Sequence, residues 1–197
     1  MSRLIKILAV TVISVAVIVG IYFVLLKVAP IVYFAMTPTD SALSYFPDIK
    51  QGSFSMKQLE IIEAAKREWD DPKDALIYSE GNSEPWCADF VSYVYHEADQ
   101  SFKNPNSNSW RIPGTHTLKE YFESTGRWHD KDSDYTPKPA DVVIYQNGLF
   151  GEHTNIVLDV DGEYMTTIGG NENHKVQLRK FEYKNPLFGL VGYGENK

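Results

Sequence analysis

The sequence predicts an α+β fold: N-terminal helices packed on a C-terminal antiparallel β-sheet, preceded by one transmembrane helix. Three observations predict it. Residues 7–26 form an uncharged, apolar run of spanning length. From Ser55 to Ser124 apolar residues recur at helical spacing of three and four. Beyond Pro137 and Pro139 the runs shorten, and Asn147-Gly148, Asp161-Gly162 and Gly169-Gly170-Asn171 part them. Helices first and then a meander of strands give an α+β domain.

The apolar run follows Arg3 and Lys6 and is closed by Lys27. At 1.5 Å per residue it can cross a bilayer as a helix. A cleaved signal peptide has a shorter apolar core and a small-residue cleavage site, whereas Ala29 and Ala35 make no clear Ala-x-Ala pattern. Residues 1–29 therefore read as an uncleaved signal-anchor. The charges before the span place the rest of the chain outside the cell membrane, as a single-pass protein. Residues 30–55, with Pro30, Pro38, Pro47 and Gly52, read as a linker. Tyr33, Phe34, Tyr45 and Phe46 within it suit the membrane interface or a docking contact. Residues 56–197 have the size of one domain.

Ser55 can cap a helix running to Trp69, with Leu59, Ile62, Ala65 and Trp69 on one stripe; Asp70-Asp71-Pro72 stops it. A loop carrying Tyr78 leads to the next helix. There Pro85 suits the first helical position, and Ser83 or Glu84 can cap it. Cys87, Val91, Val94 and Ala98 then share one face. A polar stretch, Asn104 to Ser109, ends at Trp110. Thr115 to Ser124 is a third helix, ended by Gly126. Strands are predicted over Ala140–Tyr145, Thr154–Val160, Glu163–Ile168, Lys175–Phe181 and Leu187–Tyr193.

Cys87 is the only cysteine, so no internal disulfide can form. A thiol at a helix N-terminus meets the positive end of the dipole, which favours a nucleophilic thiolate. It can equally be a small buried hydrophobe. The strands supply a partner. A two-residue hairpin at Asp161-Gly162 brings His153 opposite about residue 170, beside Asn171. A Cys, a His and a polar orienting group make a nucleophile system in which the imidazole takes the thiol proton. His96 lies too far along the Cys87 helix to join it. Trp86, Trp110 and Tyr78 are candidate substrate-binding walls, with core packing as the alternative for each. The Cys87 backbone N–H suits an oxyanion hole.

The chain has 19 basic against 26 acidic residues, a net charge of −7. The anchor holds only basic ones, so the remainder is more acidic still. Such a surface does not attract nucleic acid. There is no phosphate-binding glycine loop and no metal-binding cysteine cluster, so no cofactor or metal is expected.

Four blocks occur in order: Pro85-Trp86-Cys87-Ala88-x-Phe90-Val91-Ser92, Pro139-Ala140-Asp141-Val142-Val143, His153-Thr154-x-Ile156-Val157 and Thr167-Ile168-Gly169-Gly170-Asn171. Together they resemble the CHAP family, the cysteine, histidine-dependent amidohydrolases/peptidases. The resemblance implies a papain-like, NlpC-like fold and a peptidoglycan substrate. Carried over by position, it implies Cys87 as nucleophile, His153 as base and Asn171 as orienting group. Many members have Glu two residues before this Asn, where Gly169 stands here; Glu172 and Glu152 rank behind Asn171 as stand-ins. The expected activity is hydrolysis of a peptidoglycan amide, by an endopeptidase or an N-acetylmuramoyl-L-alanine amidase. The alternative is a catalytically weak wall-binding or scaffold module. Partners in a secretion or conjugation apparatus are a further expectation.

Overall fold

Where the nucleophile helix begins decides what its first residue can do. The computed structural model describes residues 14–15, 17–28, 42–49, 54–146, 151–185 and 188–197. Helix α1 spans Met56–Asp70, α2 Ala75–Tyr78, α3 Cys87–Glu97 and α4 Thr115–Ser124. Ser55 caps α1 as expected, in a reciprocal box with Gln58. Helix α3 starts two residues later than the sequence predicts. Trp86 is its N-cap, without a side-chain cap bond, and Cys87 is its first residue. Glu84 is drawn away from capping by an ion pair with Arg111.

Six strands follow: β1 Trp128–Asp130, β2 Val142–Gln146, β3 Glu152–Asp161, β4 Tyr164–Glu172, β5 Lys175–Glu182 and β6 Leu190–Gly194. They form one antiparallel sheet in the order β1-β6-β2-β3-β4-β5. The α+β class and the antiparallel sheet are as the sequence predicts, but only β2–β5 form the expected meander: β6 returns to lie between β1 and β2. Strand β1 and the single turn of α2 are additions. The Asn147-Gly148 turn lies outside the described residues.

The alternation of the strands builds two cores. Val142, Ile144, Ile156, Leu158, Ile168 and Leu178 meet the helices, above all Phe90, Val91, Val94 and Tyr95 of α3. Val143, Tyr145, Val157, Met165, Phe181, Tyr183, Phe188 and Tyr193 form the second cluster. Side chains such as Phe90 and Val94, wholly buried, contribute about 1.5–3 kcal/mol each, which fixes α3 on the sheet. The expected stripe of Cys87, Val91, Val94 and Ala98 is buried along its length. In α1 the buried side is Ile61, Ile62, Ala64, Ala65 and Glu68; Ile62 and Ala65 of the expected stripe are buried, and its ends, Leu59 and Trp69, are half-buried. Glu68 can join that side because the Tyr78 hydroxyl, at 2.9 Å, and Lys73 hold its carboxylate.

Leu43, Phe46, Ile49 and Phe54 pack against the main core, so this part of the expected linker touches the domain, while Tyr45 is exposed. Tyr33 and Phe34 lie outside the described residues. Residues 17–28 are helical, with exposed apolar side chains. Among the described residues, no helix is long and apolar enough to cross a membrane. Residues 7–13 and 16 of the expected span lie outside them.

Candidate active site

The site stands at the end of the sheet where β3 begins and β4 finishes, under the N-terminus of α3. As first residue of α3, Cys87 has a backbone N–H with no acceptor inside the helix. The residue is 7% exposed, and its thiol is free of any disulfide. Beneath it, Gly170 admits the helix: a Cβ there would come within 2.4 Å of Phe90 Cβ and 2.6 Å of the Trp86 ring. Arg111 braces the same end. Its guanidinium pairs with Glu84 and lies 2.9 Å, by Nε, from the wholly buried Asp89 Oδ1. One side chain thus ties residues on either side of Cys87. Burial pushes the Asp89 carboxyl up to about 7, against the pull of Arg111.

His153, 6% exposed, is the second residue of β3 and pairs in register with Tyr145 of β2. The Cys87 thiol and the Glu172 carboxylate both act on its ring. Nε2 lies 3.4 Å from Glu172 Oε1. That is an ion contact, long for a hydrogen bond, and such contacts often tighten once substrate is bound. Burial disfavours charge on the ring, yet bonding and charge from Cys87 and Glu172 outweigh it and raise its proton affinity well above the ordinary value.

Glu172 is itself held on all sides. Oε1 accepts from Asn155 Nδ2 at 3.0 Å and from the Tyr145 hydroxyl at 3.2 Å. Arg179 Nη1 lies 3.0 Å from Oε2. Burial would raise this carboxyl, but His153, Arg179 and Asn155 hold it below its usual range. A charge so buried persists only when paired and hydrogen-bonded, which is the case here.

Asn171 does not take the expected place. It is partly exposed, at φ +58°, and among the described residues makes no hydrogen bond to His153. The reason is a bulge. Between Gly169 and Glu172 the β4–β5 register shifts, so that Gly169 faces Gln177 and Glu172 faces Lys175. Strict alternation would put Asn171 on the side of Gly169 and Asn155; the extra residue puts Glu172 there instead. The same geometry accounts for Gly169. A Cβ at Gly169 would fall 1.8 Å from Asn155 Oδ1. Asn155 occupies the space and hands its amide to Glu172, three residues beyond Gly169. Glu152 turns elsewhere, to Thr115 at 3.2 Å and Gln146 at 3.3 Å.

The expected substrate walls are not assembled here. Tyr78 is wholly buried and stacks on Trp86, 6% exposed, at 5.2 Å. Both rings serve the core and leave almost no surface for a substrate. Trp110 stacks on His96 at 4.4 Å and meets Tyr93 edge-on, on the flank of α3 well past Cys87. Sequence reasoning missed Asn155, Tyr145 and Arg179. Their signal was faint: single polar residues on β2, β3 and β5 that only the folded sheet brings to one carboxylate. Among the described residues, no group of three or more His, Cys, Asp or Glu side chains is placed to hold a metal ion.

Residues 79–171 match the family model of the CHAP domain. The chain carries a CHAP domain. The match takes in Cys87, His153 and Asn171 and ends one residue before Glu172. CHAP domains are cysteine- and histidine-dependent amidohydrolases and peptidases. No curated protein matches the chain.

Proposed function

We propose that the protein is a cysteine hydrolase that cleaves amide bonds of peptidoglycan outside the cell, held to the membrane by its N-terminal segment. The observation that carries this reading is the buried row of Cys87, His153 and Glu172. Cys87 attacks the amide carbonyl, and His153 takes the thiol proton and then delivers it to the leaving amine. Water hydrolyses the resulting thioester, with His153 again as base. The Cys87 N–H at the start of α3 faces the developing oxyanion. Glu172, not Asn171, holds the imidazole in its working orientation and stabilises its charged form. The apolar, exposed helix of residues 17–28 supports the anchor. A weakened site drew its case from Gly169, and the carboxylate of Glu172 answers it.

The test incubates the full-length protein, beside Cys87→Ser, with purified peptidoglycan of several wall types and reads the products by mass spectrometry. New amine ends are expected with the native protein only, and their masses name the bond cut. Equal product from both proteins, or none from a folded native protein, would overturn the reading.

A further inference from the structure

A cavity of about 540 Å³ opens beside the same end of β2, on its β6 side, where β6 and the β1–β2 connection meet the β5–β6 connection. Tyr193, Gln146, Lys131 and Lys184 line it. Tyr193 is 3% exposed, and its hydroxyl has no hydrogen-bond partner among the described residues. A buried phenol without a partner is a donor in want of an acceptor. Neither lysine is paired with a carboxylate among the described residues; Lys184 lies over the Tyr183 ring. The lining thus carries two ammonium groups against the single carboxylate of Asp132, in a chain whose net charge is −7. It is a local exception to an acidic molecule. The cavity is also tied to the catalytic end of the sheet. Gln146 pairs with Glu152 in register, one step from the Tyr145–His153 pair.

We propose that this cavity is a binding site for a carboxylate-bearing ligand, with the Tyr193 hydroxyl and the ammonium groups of Lys131 and Lys184 as its donors. Resting on the function proposed above, the ligand class is a peptidoglycan fragment whose peptide bears a free carboxylate. The site holds the polymer while a neighbouring amide lies at Cys87.

The test titrates the full-length protein carrying Cys87→Ala with disaccharide-peptide fragments from digested peptidoglycan, by calorimetry. The same fragments with amidated carboxyl groups are the control. Free-acid fragments bind, and amidation weakens binding roughly tenfold or more, as loss of charge-assisted bonds requires. Joint Lys131→Gln and Lys184→Gln substitution weakens it by a similar factor, and Tyr193→Phe by about threefold or more. Amidated fragments binding as well as free acids, the lysine variant binding like its parent, or no binding at all would each overturn the proposal. Hydrolysis of the same fragments by the native protein is scored separately. Carboxylate-dependent binding without hydrolysis leaves the site standing and removes the proposed activity. Hydrolysis with amidation-insensitive binding removes the site alone.

Discussion

Gly169 is small because Asn155 fills the space a larger side chain would need, and that exchange defines the site. Asn155 Nδ2 holds both Thr167 Oγ1, at 2.9 Å, and Glu172 Oε1. Gly169→Ala drives a methyl group to 1.8 Å from Asn155 Oδ1. The amide must leave, and Glu172 loses a donor while still buried. We expect a loss of roughly 1–3 kcal/mol in denaturant unfolding, together with reduced hydrolysis. A variant as stable and active as the native protein would contradict this packing. The residue scale also shows where sequence reasoning stops. Cys87 and His153 are legible, because a lone cysteine at a helix start and a histidine at a strand start can be placed by counting. Glu172 is not, because counting assumes strict alternation, and one extra residue in β4 exchanges the sides of Asn171 and Glu172.

At the scale of elements, α3 is the part on which the chemistry depends. Its seat on β4 has no slack at Gly170, where a Cβ would meet Phe90 Cβ and the Trp86 ring. Gly170→Ala must push the helix off the strand and carry Cys87 away from His153. A destabilisation of about 1–3 kcal/mol is expected, with kcat reduced by more than the remaining folded fraction explains; unchanged kcat in the folded variant would argue that the helix position is not critical. Ser92 adds a second fixing point. Its hydroxyl accepts from the Ile112 N–H at 3.1 Å and donates to the Ile112 carbonyl at 3.2 Å, docking the loop that carries Arg111. Long elements with caps or regular periods, α1, α4 and β5, are legible within a residue or two. Strand β1 is not: its three residues carry no period, and it exists because Trp128–Asp130 pair with β6. The sequence puts the start of α3 two residues early because Pro85 is a favoured first residue in isolation, whereas Arg111 claims Glu84.

For the whole molecule, buried titratable groups set the dependence of stability on pH. Burial raises Asp89 to about 7 and Asp141 to about 6. The unfolded chain releases those protons near pH 4. Between that pH and the folded values the native state binds more protons, so stability falls as pH rises. His153, raised in the folded state, acts in the same sense: its contribution is full below about pH 6.5 and is lost as pH climbs through the folded value. Glu172 is held low, so its contribution is lost as pH falls below the ordinary glutamate range. The midpoint of thermal unfolding should therefore peak near about pH 5 and decline toward about pH 8. Asp89→Asn should flatten the part of that decline below about pH 7. A midpoint that rises from pH 5 to 8 would contradict this balance.

In the proposed mechanism Cys87 works through an imidazole held by Glu172. The most direct measurement is the initial rate of amine release from peptidoglycan by the native protein, Glu172→Gln and Asn171→Ala, each checked for folding. Glu172→Gln should lose roughly a hundredfold or more in kcat, as loss of an imidazole-orienting carboxylate does elsewhere. The alkaline limb of the Glu172→Gln rate profile should move to lower pH, because the imidazolium has lost its partner. Asn171→Ala should stay within a fewfold of native. A large loss in Asn171→Ala beside near-native Glu172→Gln would contradict the account and return the orienting role to Asn171.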